Sequence, residues 1–130
     1  MSAIQIGSII YNNIITDAEL YQALGNKVYP IQAPQNTTFP FVVYSRVNTY
    51  VETSTKDGYL NDATSFQITV VSDKYDESAY LADKVRNAFE GCNITFNDMV
   101  VTDIRLTSCS ESLVEDEYIQ NLNFDCEVEY

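Results

Sequence analysis

The end of the chain alternates strictly between apolar and polar residues, and this pattern constrains the fold more than any other feature. The apolar set consists of Leu122, Phe124, Cys126, Val128 and Tyr130. The polar set between them consists of Asn121, Asn123, Asp125, Glu127 and Glu129. Successive side chains of a β-strand point to opposite faces of its sheet, so the alternation predicts a strand with one buried and one wet face. Such a strand requires a sheet around it and a second layer that covers its apolar side.

Helices and further strands are predicted upstream of this segment. Helical spacing predicts a helix over residues 3–14, a short one that begins with a capping box at Thr16 and stops at Gly25, and a third between Asp73 or Asp76 and Gly91. Strand composition marks residues 27–30, 41–53 and 63–71, and a hairpin-like region over residues 93–107. The order α-α-β-β-β-α-β-β predicts an α+β fold, a mostly antiparallel β-sheet with helices packed on one face. A length of 130 residues predicts one domain.

The charge balance argues against independent binding to nucleic acid. Seven basic residues face nineteen acidic ones, which gives a formal net charge of −12. The basic residues are scattered, whereas affinity for nucleic acid comes largely from Lys and Arg that neutralise phosphates. An anionic membrane surface would repel the chain as well, and no apolar run is long enough to span a bilayer. Solubility alone accounts for the acidity equally well.

The sequence contains few of the residues and motifs that catalytic sites use. It has no His, which removes the commonest general base and the commonest metal ligand. The three Cys are far apart and form no zinc or disulfide pattern, so we predict no catalytic residue, no cofactor and no metal. The one carboxylate cluster is Glu111, Glu115, Asp116 and Glu117. We interpret it as a solvated acidic loop, with a Ca²⁺ or Mg²⁺ site or a small carboxylate-dependent hydrolase or ligand-binding domain as the alternative.

Ten tyrosines are the second unusual feature of the composition. Tyr is enriched at protein interfaces because it is both apolar and able to form hydrogen bonds. The stretch over residues 49–62 has a polar turn at its centre but carries Tyr50, Val51, Tyr59 and Leu60. We expect this hairpin to project from the domain, and these four residues to contact a neighbouring subunit.

Three blocks of residues resemble a known family. The first is Val28-Tyr29-Pro30, Ala33-Pro34 and Phe39-Pro40-Phe41-Val42-Val43-Tyr44. The second is the strand at Gln67-Ile68-Thr69-Val70-Val71-Ser72, and the third is the helical run from Leu81 to Gly91. In order and spacing they resemble the small phage tail completion proteins, which include tail terminators and tail-to-head joining proteins. The departures are Phe89, where the family usually has Leu, and a more acidic final third.

The resemblance implies a structural protein of a phage or prophage virion, made in the cytoplasm of the bacterial host. It implies a homo-oligomeric ring, six-fold in expectation, that ends the tail tube at the head-tail junction and contacts tail tube protein and head connector proteins. DNA would pass through this ring without specific binding. The wet face of the last strand, with Asp125, Glu127 and Glu129, is then a candidate for the channel lining.

Overall fold

The computed structural model describes residues 3–52 and 61–129, with side chains for all of these except residues 51 and 52. The first described element is a 3-10 turn at Ala3–Gln5. The helices are α1 (Ile6–Ile15), α2 (Ala18–Leu24) and α3 (Tyr75–Phe89). The strands are β1 (Val28–Pro30), β2 (Phe41–Glu52), β3 (Asn61–Ser72), β4 (Ile94–Phe96), β5 (Met99–Val114) and β6 (Glu117–Glu129).

The strands form one sheet in the order β1-β2-β3-β6-β5-β4. β1 runs parallel to β2, and every other neighbouring pair is antiparallel. The predicted α+β class with a mostly antiparallel sheet is therefore confirmed. The region over residues 93–107 forms the predicted hairpin, β4 followed by the start of β5, with its turn at Asn97 and Asp98.

All three helices cover the same face of this sheet. The alternating residues of β3 and β6 that point to this face are buried, as the C-terminal pattern predicts. At the centre Phe89 of α3 meets Phe66 of β3 and Phe124 of β6, with ring centroids 5.7 and 5.8 Å away. These three rings join one continuous apolar core with α1, α2 and both central strands.

Two predicted helix caps are wrong. The Asp17 carboxylate, not the Thr16 hydroxyl, caps α2, because Asp17 Oδ1 accepts hydrogen bonds from the backbone N–H groups of Glu19 and Leu20. The Thr16 hydroxyl instead donates to the carbonyl of Asn12 in α1. In α3 neither Asp73 nor Asp76 caps: the N-cap is Lys74, whose backbone N–H donates to the Ser72 hydroxyl.

The acidic segment that begins at Glu111 is not a loop. β5 continues to Val114 and β6 starts at Glu117, so only Glu115 and Asp116 form the turn. Both turn residues have positive φ, 49° and 65°, as a tight two-residue hairpin turn requires. The carboxylates of Glu111 and Glu117 therefore stand on paired strands. The hairpin β5–β6 extends one end of the sheet, opposite the end at which β2 and β3 are connected.

Candidate functional surfaces

The face of the sheet without helices is polar along its middle. Three rungs of side-chain hydrogen bonds cross from β3 to β6: Ser65 to Asp125 at 2.6 Å, Gln67 to Asn123 at 3.1 Å and Thr69 to Asn121 at 2.8 Å. The Asn123 amide also donates to the hydroxyl of Ser108 on β5 at 3.1 Å. We call this surface the open face. These hydrogen bonds hold its side chains in fixed directions, so the open face is a firm polar wall.

The structure places the three predicted acidic residues together at one end of the open face. Asp125 and Glu127 are half-buried and Glu129 is exposed. Arg105 of β5 lies opposite Asp125 in the strand register, and its guanidinium Nε is 3.7 Å from the carboxylate of Asp103. One basic side chain therefore partly offsets the acidic set. A scan along the chain misses this neighbour, because the two residues meet only through the β5–β6 pairing.

Tyr50 lies on the same side of the sheet as the acidic set. It pairs with Ala63 of β3, which in turn pairs with Glu127 of β6, and its side chain is 63% exposed. Val51 pairs with Asp62, but its side chain, like Tyr59 and Leu60, lies outside the described residues. Of the four proposed interface residues, Tyr50 thus has a described side chain, and that side chain is available to a partner.

The far end of the molecule carries a shallow cleft of about 250 Å³. It is lined by Tyr75, Glu111, Ser112, Leu113, Tyr118 and Gln120. Glu111 is the carboxylate of this cleft, and it accepts hydrogen bonds from the Tyr75 hydroxyl at 3.0 Å and the Gln120 amide at 3.0 Å. The bond to Glu111 raises the pKa of Tyr75 above its ordinary value. A lone carboxylate with two donors lacks the second acid or base that a carboxylate hydrolase uses.

A second surface pocket has two carboxylates, Asp17 and Glu19, and both have structural partners. Asp17 caps α2, and Glu19 lies 2.7 Å from the Lys84 ammonium, which lowers the pKa of Glu19. Among the described residues, no group of three or more His, Cys, Asp or Glu side chains is arranged to hold a metal ion. The described helices also include none with the length and apolar character that a membrane span needs.

The comparisons with known proteins agree with the fold. Residues 9–127 match the model of the family described as tail completion protein gp17. A chain of the solved virion of a native gene transfer agent particle has the same fold, with a TM-score of 0.72 at 20% sequence identity. That match covers 93% of this chain and 92% of the other. The sequence has no significant match among curated proteins.

Proposed function

The chain belongs to the tail completion protein gp17 family and is a structural component of a phage-type virion tail, and we propose that it acts as a subunit of a closed ring that ends the tail tube and joins it to the head. The observation that carries the proposal is the family match over residues 9–127. The proposed partners are further copies of the chain, tail tube protein and head connector proteins. No catalytic step is part of this role.

A ring of identical subunits needs two different surfaces on each copy, one that contacts the preceding subunit and one that contacts the next. The sheet supports such an arrangement, because its two edges are formed by different strands with different side chains. Tyr50, Val51, Tyr59 and Leu60 belong to the segment over residues 49–62, which we propose as one half of the interface. Six copies is the expected number.

The open face is the proposed wall of the channel. The helices cover the other face of the sheet, so a ring with its helices outside turns Asp125, Glu127 and Glu129 toward the DNA path. Repulsion between these carboxylates and phosphate is screened beyond about 8–10 Å in physiological salt, so it acts only where the wall lies close to the DNA. Repeated copies of the acidic set around a narrow channel would keep the DNA mobile as it passes.

Electron microscopy of the purified protein tests the ring directly. The channel assignment is tested by replacing Asp125, Glu127 and Glu129 together with Lys. The matched control replaces Asp73, Asp76 and Asp83, three exposed acids on the helical side, with Lys. Each variant changes three charges by +2, so both move the formal net charge from −12 to −6.

We expect both variants to fold and form rings, and only the open-face variant to bind DNA in a gel-shift assay. Its binding should weaken steeply between low and moderate salt, because Lys–phosphate contacts release counterions. Equal DNA binding by the two variants, or none by either at low salt, would contradict the placement of the acidic set in the channel. Absence of rings under every assembly condition, with and without tail tube protein, would contradict the ring itself.

A further inference from the structure

At both edges of the sheet, the outermost strand is too short to cover the whole length of the strand next to it. β1 and β4 have three residues each. β1 pairs with β2 at residues 42–44, and β4 pairs with β5 at residues 99–101. Within the described part of the chain, β2 therefore has no outer strand over residues 45–52, and β5 has none over residues 102–114. The segment after α3 covers β5 as far as Leu106, because the Gly91 N–H donates to the Ile104 carbonyl and the Leu106 N–H donates to the Glu90 carboxylate, so the uncovered part of β5 is residues 107–114. The two uncovered segments lie at opposite ends of the sheet.

The uncovered part of β5 has few of the features that normally protect an edge strand. Residues 108–114 pair regularly with β6, are all exposed, and include no Lys and no Pro. Proteins usually protect such edges with basic residues, prolines, bulges or very short strands, since a bare edge pairs with other chains. A long regular edge is therefore a surface on which another strand can dock.

We propose that residues 45–50 of β2 in one copy pair antiparallel with residues 108–112 of β5 in the next copy, so that the sheets join into one wall around the ring. The proposal rests on the ring function above and identifies its interface. Along β2-β3-β6-β5 every neighbouring pair is antiparallel, so β5 runs opposite to β2. Copies related by rotation about a ring axis would therefore continue the antiparallel pattern across the junction.

The charges of the two segments are complementary and lie on the same side of the sheet. Arg46 is the charged residue of segment 45–50, and Glu111 is that of segment 108–112. Arg46 pairs with the buried Phe66, and Glu111 pairs with Gln120, whose amide donates to Ser78 of α3. Both charged side chains thus point to the side that carries the helices. Placing Arg46 opposite Glu111 of the neighbour sets the register of the whole junction.

This register agrees with the geometry of a closed barrel. Arg46 lies level with Phe124 of β6, and Glu111 lies level with Gln120, so the junction is offset by four residues along β6. At about 3.4 Å per residue the offset is about 14 Å, and four strand spacings of about 4.8 Å span about 19 Å. The strands must then tilt by about 36° from the ring axis, so that equivalent residues of successive copies lie at the same height and the ring closes. Closed β-barrels tilt their strands by about 35–45°.

Val47 is an extra residue in the pairing of β2, so it is skipped when the register is extended from Arg46. Thr49 then lies opposite Cys109 of the neighbour. Both residues lie on the helical side, since Thr49 pairs with the buried Thr64 and Cys109 with the buried Leu122. Cys109 is a free and exposed thiol. Thr49→Cys therefore places a second thiol opposite Cys109 of the neighbouring copy. Directly opposed strand residues are close enough for a disulfide, so this pair can form a disulfide between copies.

The experiment oxidises assembled rings of Thr49→Cys mildly and separates them on a non-reducing gel. We expect a ladder of covalent oligomers that ends at the ring size and disappears on reduction. Two controls should give no ladder: Thr49→Cys combined with Cys109→Ser, and Asn87→Cys, which places a thiol at an exposed position of α3, whereas half-buried Thr49 is less accessible. Circular dichroism checks that each variant is folded.

A charge exchange provides a second measurement that needs no cysteine. Arg46→Glu should raise the protein concentration for half-assembly by about two- to fivefold, as expected for one exposed ion pair, and adding Glu111→Arg should restore it. Rings that form without a ladder and are indifferent to the charge reversal would overturn the strand pairing but leave the ring function standing. A ladder of equal extent from Asn87→Cys would also overturn the pairing, because it would report collisions. Failure of the wild-type protein to form rings would overturn both proposals.

Discussion

Phe89 provides a quantitative test of how the helical layer is fixed to the sheet. Its side chain is 1% exposed, and its ring packs against those of Phe66 and Phe124, which are themselves stacked at 5.1 Å. Burial of a Phe removes roughly 150–200 Å² of apolar surface from water, worth about 4–5 kcal/mol at about 25 cal/mol/Å². Phe89→Ala leaves a cavity between β3, β6 and α3, so we expect the free energy of unfolding to fall by about 3–5 kcal/mol.

The loss is a large part of the total stability of about 5–15 kcal/mol that is typical of a domain. With a urea m-value of about 1–3 kcal/mol/M, it should lower the unfolding midpoint by about 1–5 M. The melts are followed by circular dichroism at a protein concentration too low for assembly, because association adds stability to the folded state. Phe89→Leu should cost less, since it keeps most of the volume and loses the aromatic contacts worth about 0.5–1.5 kcal/mol each.

Tyr80→Ala is the matched control, an aromatic residue on the same helix that is 55% exposed. It should cost less than about 1 kcal/mol, because its hydroxyl bond to Glu19 and its contact with Lys84 are both at the surface. If Phe89→Ala cost under about 1 kcal/mol, or no more than Tyr80→Ala, the packing of α3 on the sheet would have to be reconsidered.

Three further predictions concern the helix cap, the buried thiol and the hairpin. Asp17→Ala should destabilise the protein by about 1 kcal/mol and Thr16→Ala by less, since Asp17 is the cap of α2; an equal loss in denaturant melts would refute this. Burial raises the pKa of Cys126 from about 9 to about 12, so its thiol stays neutral when folded but ionises when unfolded. Stability should therefore fall as the pH rises from about 9 toward 12, and Cys126→Ala should show a shallower fall over the same range. Deletion of residues 54–58 should leave a folded monomer that no longer assembles; wild-type oligomers in size-exclusion chromatography would exclude this hairpin from the interface.

Some features of the protein follow from its sequence alone. The C-terminal alternation fixes which residues of β6 face the core, because side-chain direction in a strand depends only on position along the chain. Gly25 and Gly91 end their helices with positive φ, 60° and 75°, a conformation that favours glycine at any helix end. The absence of His and of a catalytic motif is likewise a property of the sequence, and so is the family match over residues 9–127.

The tertiary structure decided which residues meet across strands and which edges stay uncovered. Residues 107–114 show no clean alternation of buried and exposed positions because both of their faces are exposed, so only the pairing with β6 makes them a strand. Arg105 reaches the level of Asp125 through the same pairing, and Asp17 replaces Thr16 as a cap through the path between α1 and α2. The uncovered segments of β2 and β5 depend on how far β1 and β4 extend beside them. Local patterns record the environment of one segment, whereas register and edge coverage are relations between segments distant in sequence, and these relations define the proposed interface.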